Sequence, residues 1–430
     1  MEKSVEKQLE LIRRNVVELI PEEELVKKIK RSIETGKPLR VKIGLDPTKP
    51  DLHLGHTIGL QKLRDFQDLG HTAVLIVGDF TGYIGDPSGR DTERAAVDWE
   101  TIQSNAQTYF EQASKIIDYE KAEVRYNSEW LDPMSFRDVL HLGKAFTVHR
   151  MLERDDFEKR YREGIAISIM EFLYPLAQAY DSVAIEADIE LGGTDQRFNL
   201  MVGRVIQERY GQEPQCLVLM PLLEGTDGVR KMSKSLDNYV GITDEPHDMY
   251  GKAMRINDEM IGKWRELVTL WPHSEREKLE KGIQDGTIHP MEAKKSLAYD
   301  VVEKFHSDDD AKSAAEHFTT VFSKGELADT DTMPRYQVEP DLISSEGDIR
   351  VIDLLVRAGL AESKGEARRL IRGGGVEWNP YVVESGEKAE SGDRKFETIK
   401  LTDELQSITE PFEGILKASK RRQALIIPPE

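Results

Sequence analysis

Over about its first 240 residues the chain alternates short apolar runs with amphipathic ones, and this alternation restricts its fold more than any other feature. Val41–Leu45 places apolar residues at alternate positions, as a strand does. Leu54–Leu69 has a helical period and stops at Gly70, and Ala73–Val77 is a continuous apolar run of strand length. The order continues with a helix over Trp99–Ile117, a strand over Ala122–Tyr126, an apolar-faced helix over Ile165–Tyr180 and a strand over Val183–Ala187. A helix over Thr194–Tyr210 and a strand over Cys216–Met220 complete it. Such repetition predicts an α/β domain over residues 1–243, a mostly parallel sheet covered on both faces. Ligands of such sheets bind beyond the carboxyl ends of the strands, so the loops there are where chemistry is expected. Residues 244–323 read as a helical domain with polar outer positions, 324–348 as an acidic, aperiodic linker, and 349–430 as a small α+β unit.

Charge separates these parts further. The chain of 430 residues has 59 Lys+Arg against 79 Asp+Glu, a net of −20, which excludes coating of nucleic acid by bulk positive charge. From Arg350 to Glu430, however, there are 14 basic and 14 acidic residues, so the first 349 residues carry the whole −20. The tail is basic relative to the body and reads as a module with its own partner. A single cysteine, Cys216, closes no internal disulfide and fits a reducing compartment. No apolar run reaches about 18 residues, and the N-terminal MEKSVEKQLE has no signal-like apolar core. The expected location is the cytoplasm, with no membrane partner.

Two short motifs carry chemistry. The first strand runs into Leu45-Asp46-Pro-Thr48, followed by His53-Leu-Gly55-His56 at the start of a helix. Two imidazoles three residues apart share a face, Gly55 allows close approach, and a helix N-terminus with the Thr48 hydroxyl favours an anion. From these residues alone a packed N-cap or a metal pair are the alternatives; a metal pair needs further ligands, and none cluster nearby. The second motif, Lys231-Met-Ser-Lys234-Ser, follows the strand at Cys216–Met220 and a Gly-flanked loop. Lysines on such a loop can close over phosphate.

Taken together, the two motifs resemble the paired signatures of class I aminoacyl-tRNA synthetases, whose catalytic domain is of Rossmann type. Tyr174-Pro-Leu-Ala-Gln178-Ala-Tyr-Asp181 adds specificity: these three polar residues fall within about 60° on one helix face. The segment resembles the tyrosine-binding helix of tyrosyl-tRNA synthetases, which implies that Asp181 reads the substrate phenol while Tyr174 and Gln178 hold the amine. Such a carboxylate would be left unpaired by phenylalanine.

Gly78–Arg90 and Gly192-Gly193-Thr-Asp195-Gln196 resemble the same family. The resemblance implies Asp86 on the amine, Gln196 near the substrate carboxylate, Asp195 on the ribose, and Asp46, Gly55, His56, Gly193 and Lys234 at the nucleotide. Thr48, His53, Lys231 and Lys234, with Arg90 and Arg94, would hold the polyphosphate of ATP, and His56 counts with them among the catalytic residues. Magnesium is expected to arrive with ATP, with no protein metal cage. One position departs from the family pattern: Lys42 stands where a Tyr often gives the phenol a second partner, and with Lys231–Ser235 it resembles the second bacterial type of these enzymes.

In the tail, Gly-Leu-Ala-x-Ser-x-x-Glu-Ala-Arg-Arg-Leu-Ile is similar to the S4 RNA-binding domain. Arg368, Arg369 and Arg372 on one helix, and Lys417, Lys420, Arg421 and Arg422 near the end, are the candidate RNA contacts. The resemblance implies tyrosine, ATP and tRNA(Tyr) as partners and a symmetric homodimer, with its interface near Leu142–Leu152. Within the same fold, a tryptophanyl synthetase is the nearest alternative; an inactive RNA-binding paralogue and a small-molecule adenylyl ligase are others.

Overall fold

The computed structural model describes residues 2–87, 98–320, 333–345, 347–382, 395–396, 398–403, 405–409, 412–419 and 422–429. The chain divides into two compact units, Met1–Ala311 and Lys312–Glu430.

The first unit is built on a six-stranded sheet: β1 (Glu18–Ile20), β2 (Arg40–Leu45), β3 (Thr72–Val77), β4 (Ala122–Tyr126), β5 (Ile189–Gly193) and β6 (Cys216–Met220). Their order is β1-β6-β5-β2-β3-β4. Only β1 runs antiparallel, against β6; the other pairings are parallel. The chain lays down β2, β3 and β4 outward in one direction, then returns to place β5 and β6 on the other side of β2. The order therefore reverses between β2 and β5, and a crevice opens at the carboxyl end of such a switch point. The two strands pair at only two positions, Val41↔Ile189 and Lys42↔Glu190, before they part. By contrast, β2 and β3 pair along six.

The inner strands are almost wholly buried: Val41, Ala73–Val77 and Cys216–Met220 form the sheet's core. The apolar runs at β3 and β6 follow from burial on both faces. Several boundaries differ from the sequence expectation; the helix expected over Trp99–Ile117 ends at Ala113, and that expected over Thr194–Tyr210 spans Arg197–Arg209. The apolar-faced helix spans Ile169–Ala184, not Ile165–Tyr180; its start is set by Ser168, which caps it with Glu171 as a reciprocal capping box. The strand expected at Val183–Ala187 is instead Ile189–Gly193. Val183 still belongs to the helix, and Glu186 turns the chain at φ 51°. Beyond the sheet, helices at Pro246–Ala253, Ile261–Leu267, His273–Gln284 and Pro290–Phe305 follow within the same unit.

The second unit carries β7 (Arg335–Gln337), β8 (Asp348–Arg350), β9 (Val376–Val382), β10 (Lys395–Phe396), β11 (Ile399–Leu401), β12 (Ser407–Thr409), β13 (Gly414–Ser419) and β14 (Arg422–Ile427). One sheet has the order β10-β9-β13-β14-β7, with β11 also on β9; β12 and β8 form a second. Thus Arg335–Gln337, inside the stretch read as a linker, pairs in parallel with β14. Helices Val351–Arg357 and Lys364–Arg372 pack on a core that includes Leu354, Ile371, Trp378 and Leu416.

Candidate functional site

At the carboxyl ends of β2, β5 and β6 lies a cavity of about 510 Å³. Asp46, Thr48, His53, Gly55, His56, Asp86, Tyr174, Gln178, Asp181, Gly193, Asp195, Gln196 and Lys231 all line it. These come from five stretches scattered over nearly two hundred positions, brought together by the switch point. Arg90 and Arg94 lie outside the described residues.

The loop after β2 is held from the side. Asn105 donates to the Pro47 carbonyl (3.0 Å), and Gln112 both donates to the Pro50 carbonyl (2.8 Å) and accepts from the Leu52 amide (2.6 Å). The chain then enters the helix Leu54–Asp68 with His53 at its N-cap. The His53 amide donates to His56 Nδ1 (3.1 Å), and the two rings lie 3.8 Å apart. With Nδ1 accepting, neutral His56 carries its proton on Nε2, a donor available to the cavity. Burial holds both rings neutral: it lowers His56 to about 3 and His53 well below the imidazole range, each with nearby cationic Lys234 adding to the effect. At a helix N-terminus they are therefore neutral hydrogen-bonding groups, not cations.

On one wall, the Tyr174 hydroxyl donates to Asp46 Oδ2 (2.9 Å) and the Thr81 hydroxyl to Asp46 Oδ1 (2.7 Å). Burial, then Asp46 and Asp86, keep the Tyr174 phenol protonated well above its ordinary range. Gly78 is obligatory here, since a Cβ at that position would strike both the Asp46 carboxylate and the Thr81 hydroxyl. Asp86 accepts from Gln196 Nε2 (2.9 Å) and from Arg154 (3.3 Å), and Asn199 donates to Gln196 Oε1 (2.9 Å).

Asp181 is almost fully buried, 3% exposed. The Trp130 indole donates to its Oδ1 (2.8 Å) and Asn127 approaches its Oδ2 (3.4 Å). Burial raises its pKa to about 7, against the opposing pull of Lys42, Trp130 and Asn127. Sequence reading did not single out Trp130 and Asn127. Their signal is positional, since they begin just past the carboxyl end of β4, where ligand-side residues of a parallel sheet belong.

Lys231 reaches across the cavity to Asp195 (2.8 Å) at the turn after β5. Its loop is organised by Asn238, whose Oδ1 accepts from the Ser233 amide (2.8 Å) and whose Nδ2 donates to the Lys231 carbonyl (3.2 Å). Lys234 does not join the lining. Its Nζ donates to the Lys49 carbonyl (3.0 Å) and the Tyr109 hydroxyl (3.1 Å), and burial lowers it to about 8. A second cavity, about 720 Å³, meets the first at Asp195 and is lined by Phe146, Arg150, Arg154 and Phe198 among others. The sequence candidates converge on the smaller one. Among the described residues, no group of three or more His, Cys, Asp or Glu side chains is disposed to hold a metal ion.

In the second unit, Arg368, Arg369 and Arg372 are exposed on the helix Lys364–Arg372, whose opposite face buries Ala367 and Ile371. Lys417 instead pairs with Glu377 (2.9 Å), and Arg422 with Glu366 (2.6 Å). Lys420 and Arg421 lie outside the described residues.

Residues 34–323 match the family model described as tRNA synthetases class I (W and Y), and the chain belongs to that class. Residues 349–395 match the S4 domain. Curated relatives narrow the class. The tyrosine–tRNA ligase of Thermotoga maritima is 56% identical over 371 residues, 86% of this chain and 89% of that one. That of Desulfotalea psychrophila is 46% identical over 424 residues, 99% of this chain and 98% of that one. Within the class, the chain is a member of the tyrosine–tRNA ligase family. Among solved structures, tyrosyl-tRNA synthetase complexed with L-tyrosine from Archaeoglobus fulgidus is similar at TM-score 0.60 and 25% identity, covering 73% of this chain and all of that one (100%). A truncated mitochondrial tyrosyl-tRNA synthetase from Aspergillus nidulans shares the fold at TM-score 0.60 and 22% identity, over 75% of this chain and 95% of its own.

Proposed function

We propose that this cavity joins L-tyrosine to ATP, giving tyrosyl-adenylate and pyrophosphate, and then passes the tyrosyl group to the 3′ end of tRNA(Tyr). The observation that carries the reading is the polarity of the cavity. A buried carboxylate held by two donors, the acceptors of Asp46, Asp86 and Gln178, and two neutral imidazoles with the Lys231 ammonium line this one cavity. These groups match phenol, ammonium and polyphosphate respectively.

In this reading Asp181 accepts the substrate phenol, with Trp130 and Asn127 fixing its orientation. Tyr174, Gln178 and Asp86 receive the α-ammonium, and Gln196 lies near the α-carboxylate. The carboxylate is ionised at pH 7 and attacks the α-phosphate directly, so no general base is required. Catalysis is then positioning and charge stabilisation. His56 Nε2–H and Thr48 donate to phosphate oxygens, while His53, unable to charge at neutral pH, orients His56. Gly55 keeps the helix N-terminus open to the nucleotide and Asp46 bounds its site. Asp195 accepts from the ribose hydroxyls beside Gly193, which requires Lys231 to leave it and turn to the pyrophosphate. Lys234 joins only by leaving Tyr109; Arg90 and Arg94 act on the same leaving group. Magnesium enters as the MgATP substrate, bound chiefly by phosphate and water.

For tRNA, the domain boundaries 1–243, 244–323 and 349–430 are retained as catalytic, helical tRNA-binding and S4-like parts. Arg368, Arg369 and Arg372, exposed together on one helix, are the favoured RNA contacts of the last. A cytoplasmic homodimer fits the exposed Phe136, Leu140 and Val148 flanking the proposed interface. The test is ATP–pyrophosphate exchange with tyrosine, tryptophan and phenylalanine, followed by charging of tRNA(Tyr). Exchange driven by tyrosine alone is expected; exchange driven by tryptophan, or none at all, refutes the reading.

A further inference from the structure

The departure at Lys42 has a structural counterpart. Lys42 and Glu190 are 1% and 2% exposed, and Lys42 Nζ lies 3.1 Å from Glu190 Oε1. They face each other at the last paired position before β2 and β5 separate. Lys42 Nζ also donates to the Gln178 carbonyl (3.3 Å). Glu190 receives more: Gln178 Nε2 (3.3 Å), Ser182 Oγ (3.4 Å) and Gln215 Nε2 all donate to it. Opposite Lys42 the Glu190 carboxylate offers acceptors only. The part of the Gln178 amide that meets it must therefore be the NH₂, and the Gln178 oxygen is turned away. That oxygen is buried and has no hydrogen-bond partner, on a residue that lines the cavity.

We propose that Glu190, balanced by Lys42, is a positioning residue that holds the Gln178 NH₂, leaves the amide oxygen as the group offered to a ligand, and so selects a ligand bearing a cationic amine. This rests on the reading of Gln178 as an amine contact. An amide free to turn would present NH₂ to the ammonium half the time, a donor against a donor. A neutral residue at 190 would remove the preference, and a lone Glu190 without Lys42 would be an uncompensated buried charge.

The test is equilibrium dialysis of L-tyrosine against its desamino analogue, 3-(4-hydroxyphenyl)propionate, as competitor, on the full chain. The variants are Lys42→Met/Glu190→Met, Gln178→Met and the triple combination. Replacing both members of a buried ion pair avoids a lone buried charge, while Glu190→Met frees the Ser182 and Gln215 donors, so an unfolding curve first shows that the double variant is folded at the assay temperature. The wild type should prefer L-tyrosine over the analogue. The double variant should lose about tenfold of that preference; losing the Lys42 pull on Asp181 weakens both phenols alike and does not enter the ratio. The same double change in the Gln178→Met background should cost no further preference, because the effect runs through that amide. Retained preference in the double variant, whether or not both ligands weaken, overturns the proposal. A wild type that binds tyrosine with no preference for the amine refutes the amine reading itself, and no tyrosine binding refutes the functional reading.

Discussion

Replacing Asp181 by Asn should stabilise the ligand-free protein above neutral pH while removing recognition of the phenol. The Asp181 carboxyl is 3% exposed and titrates at about 7 instead of its ordinary 3.8, chiefly through burial. Between those values the folded chain keeps a proton that the unfolded chain has released, so stability falls as pH rises through this window. Three units at about 1.4 kcal/mol each amount to about 4 kcal/mol lost by pH 8. Asn cannot ionise and escapes this loss. Its own NH₂ would meet the Asn127 amide donor, a cost of about 1–3 kcal/mol that does not vary with pH. The informative quantity is therefore the change between pH 5 and pH 8 in the stability difference, variant minus wild type, which should be about 2.5 kcal/mol. Denaturant unfolding followed by tryptophan fluorescence at the two pH values measures it. A difference that is the same at both would mean that Asp181 ionises as an ordinary carboxyl, and the reasoning from burial would fail. The same linkage predicts that tyrosine affinity weakens as pH falls below about 7, where the carboxyl accepts a proton in place of the phenol's.

Three other outcomes are expected. Trp130→Phe removes one donor to Asp181 and should raise its pKa further, lowering tyrosine affinity about tenfold at pH 7 in a binding titration, with recovery at higher pH. Lys231→Met should slow tyrosine-dependent pyrophosphate exchange by about 10²-fold, the scale for loss of one charged group at a reacting phosphate. Because the Lys231–Asp195 pair is partly exposed, thermal unfolding should shift by no more than a surface ion pair is worth, under about 1 kcal/mol. Arg372→Ala should leave exchange unchanged and weaken tRNA binding, with the salt dependence of that binding flattened by about one phosphate contact.

The sequence is most legible where one local rule suffices. The β3 and β6 runs, the helix starting beside His53 and the polar trio Tyr174, Gln178 and Asp181 each follow from periodicity, and the structure brings all three trio members to one cavity. Local rules fail where tertiary partners decide. Val183–Ala187 has strand-like residues, yet the Ile169–Ala184 helix, started by its capping box at Ser168, runs through Ala184. Trp130 and Asn127 carry no motif, and only the placement of β4 beside β3 turns them toward Asp181. Lys234 belongs to a signature that reads as phosphate-binding, but the nearest acceptors in the folded chain are Lys49 and Tyr109. The partnership of Lys42 and Glu190 spans 148 positions and depends on a strand order that composition cannot supply.

The two-rung junction between β2 and β5 has a consequence for how the chain finds its fold. So short a pairing offers little backbone discrimination between alignments, and a slip of one residue would turn every side chain of β5 to the opposite face. Such a slip would bury Lys42 and Glu190 apart from each other, a penalty of about 3–5 kcal/mol for each broken pair. The ion pair thus works as a key that admits a single alignment of the two sheet halves. Without it, the apolar variant should refold more slowly and with a larger misaligned fraction, even where its final stability equals that of the parent.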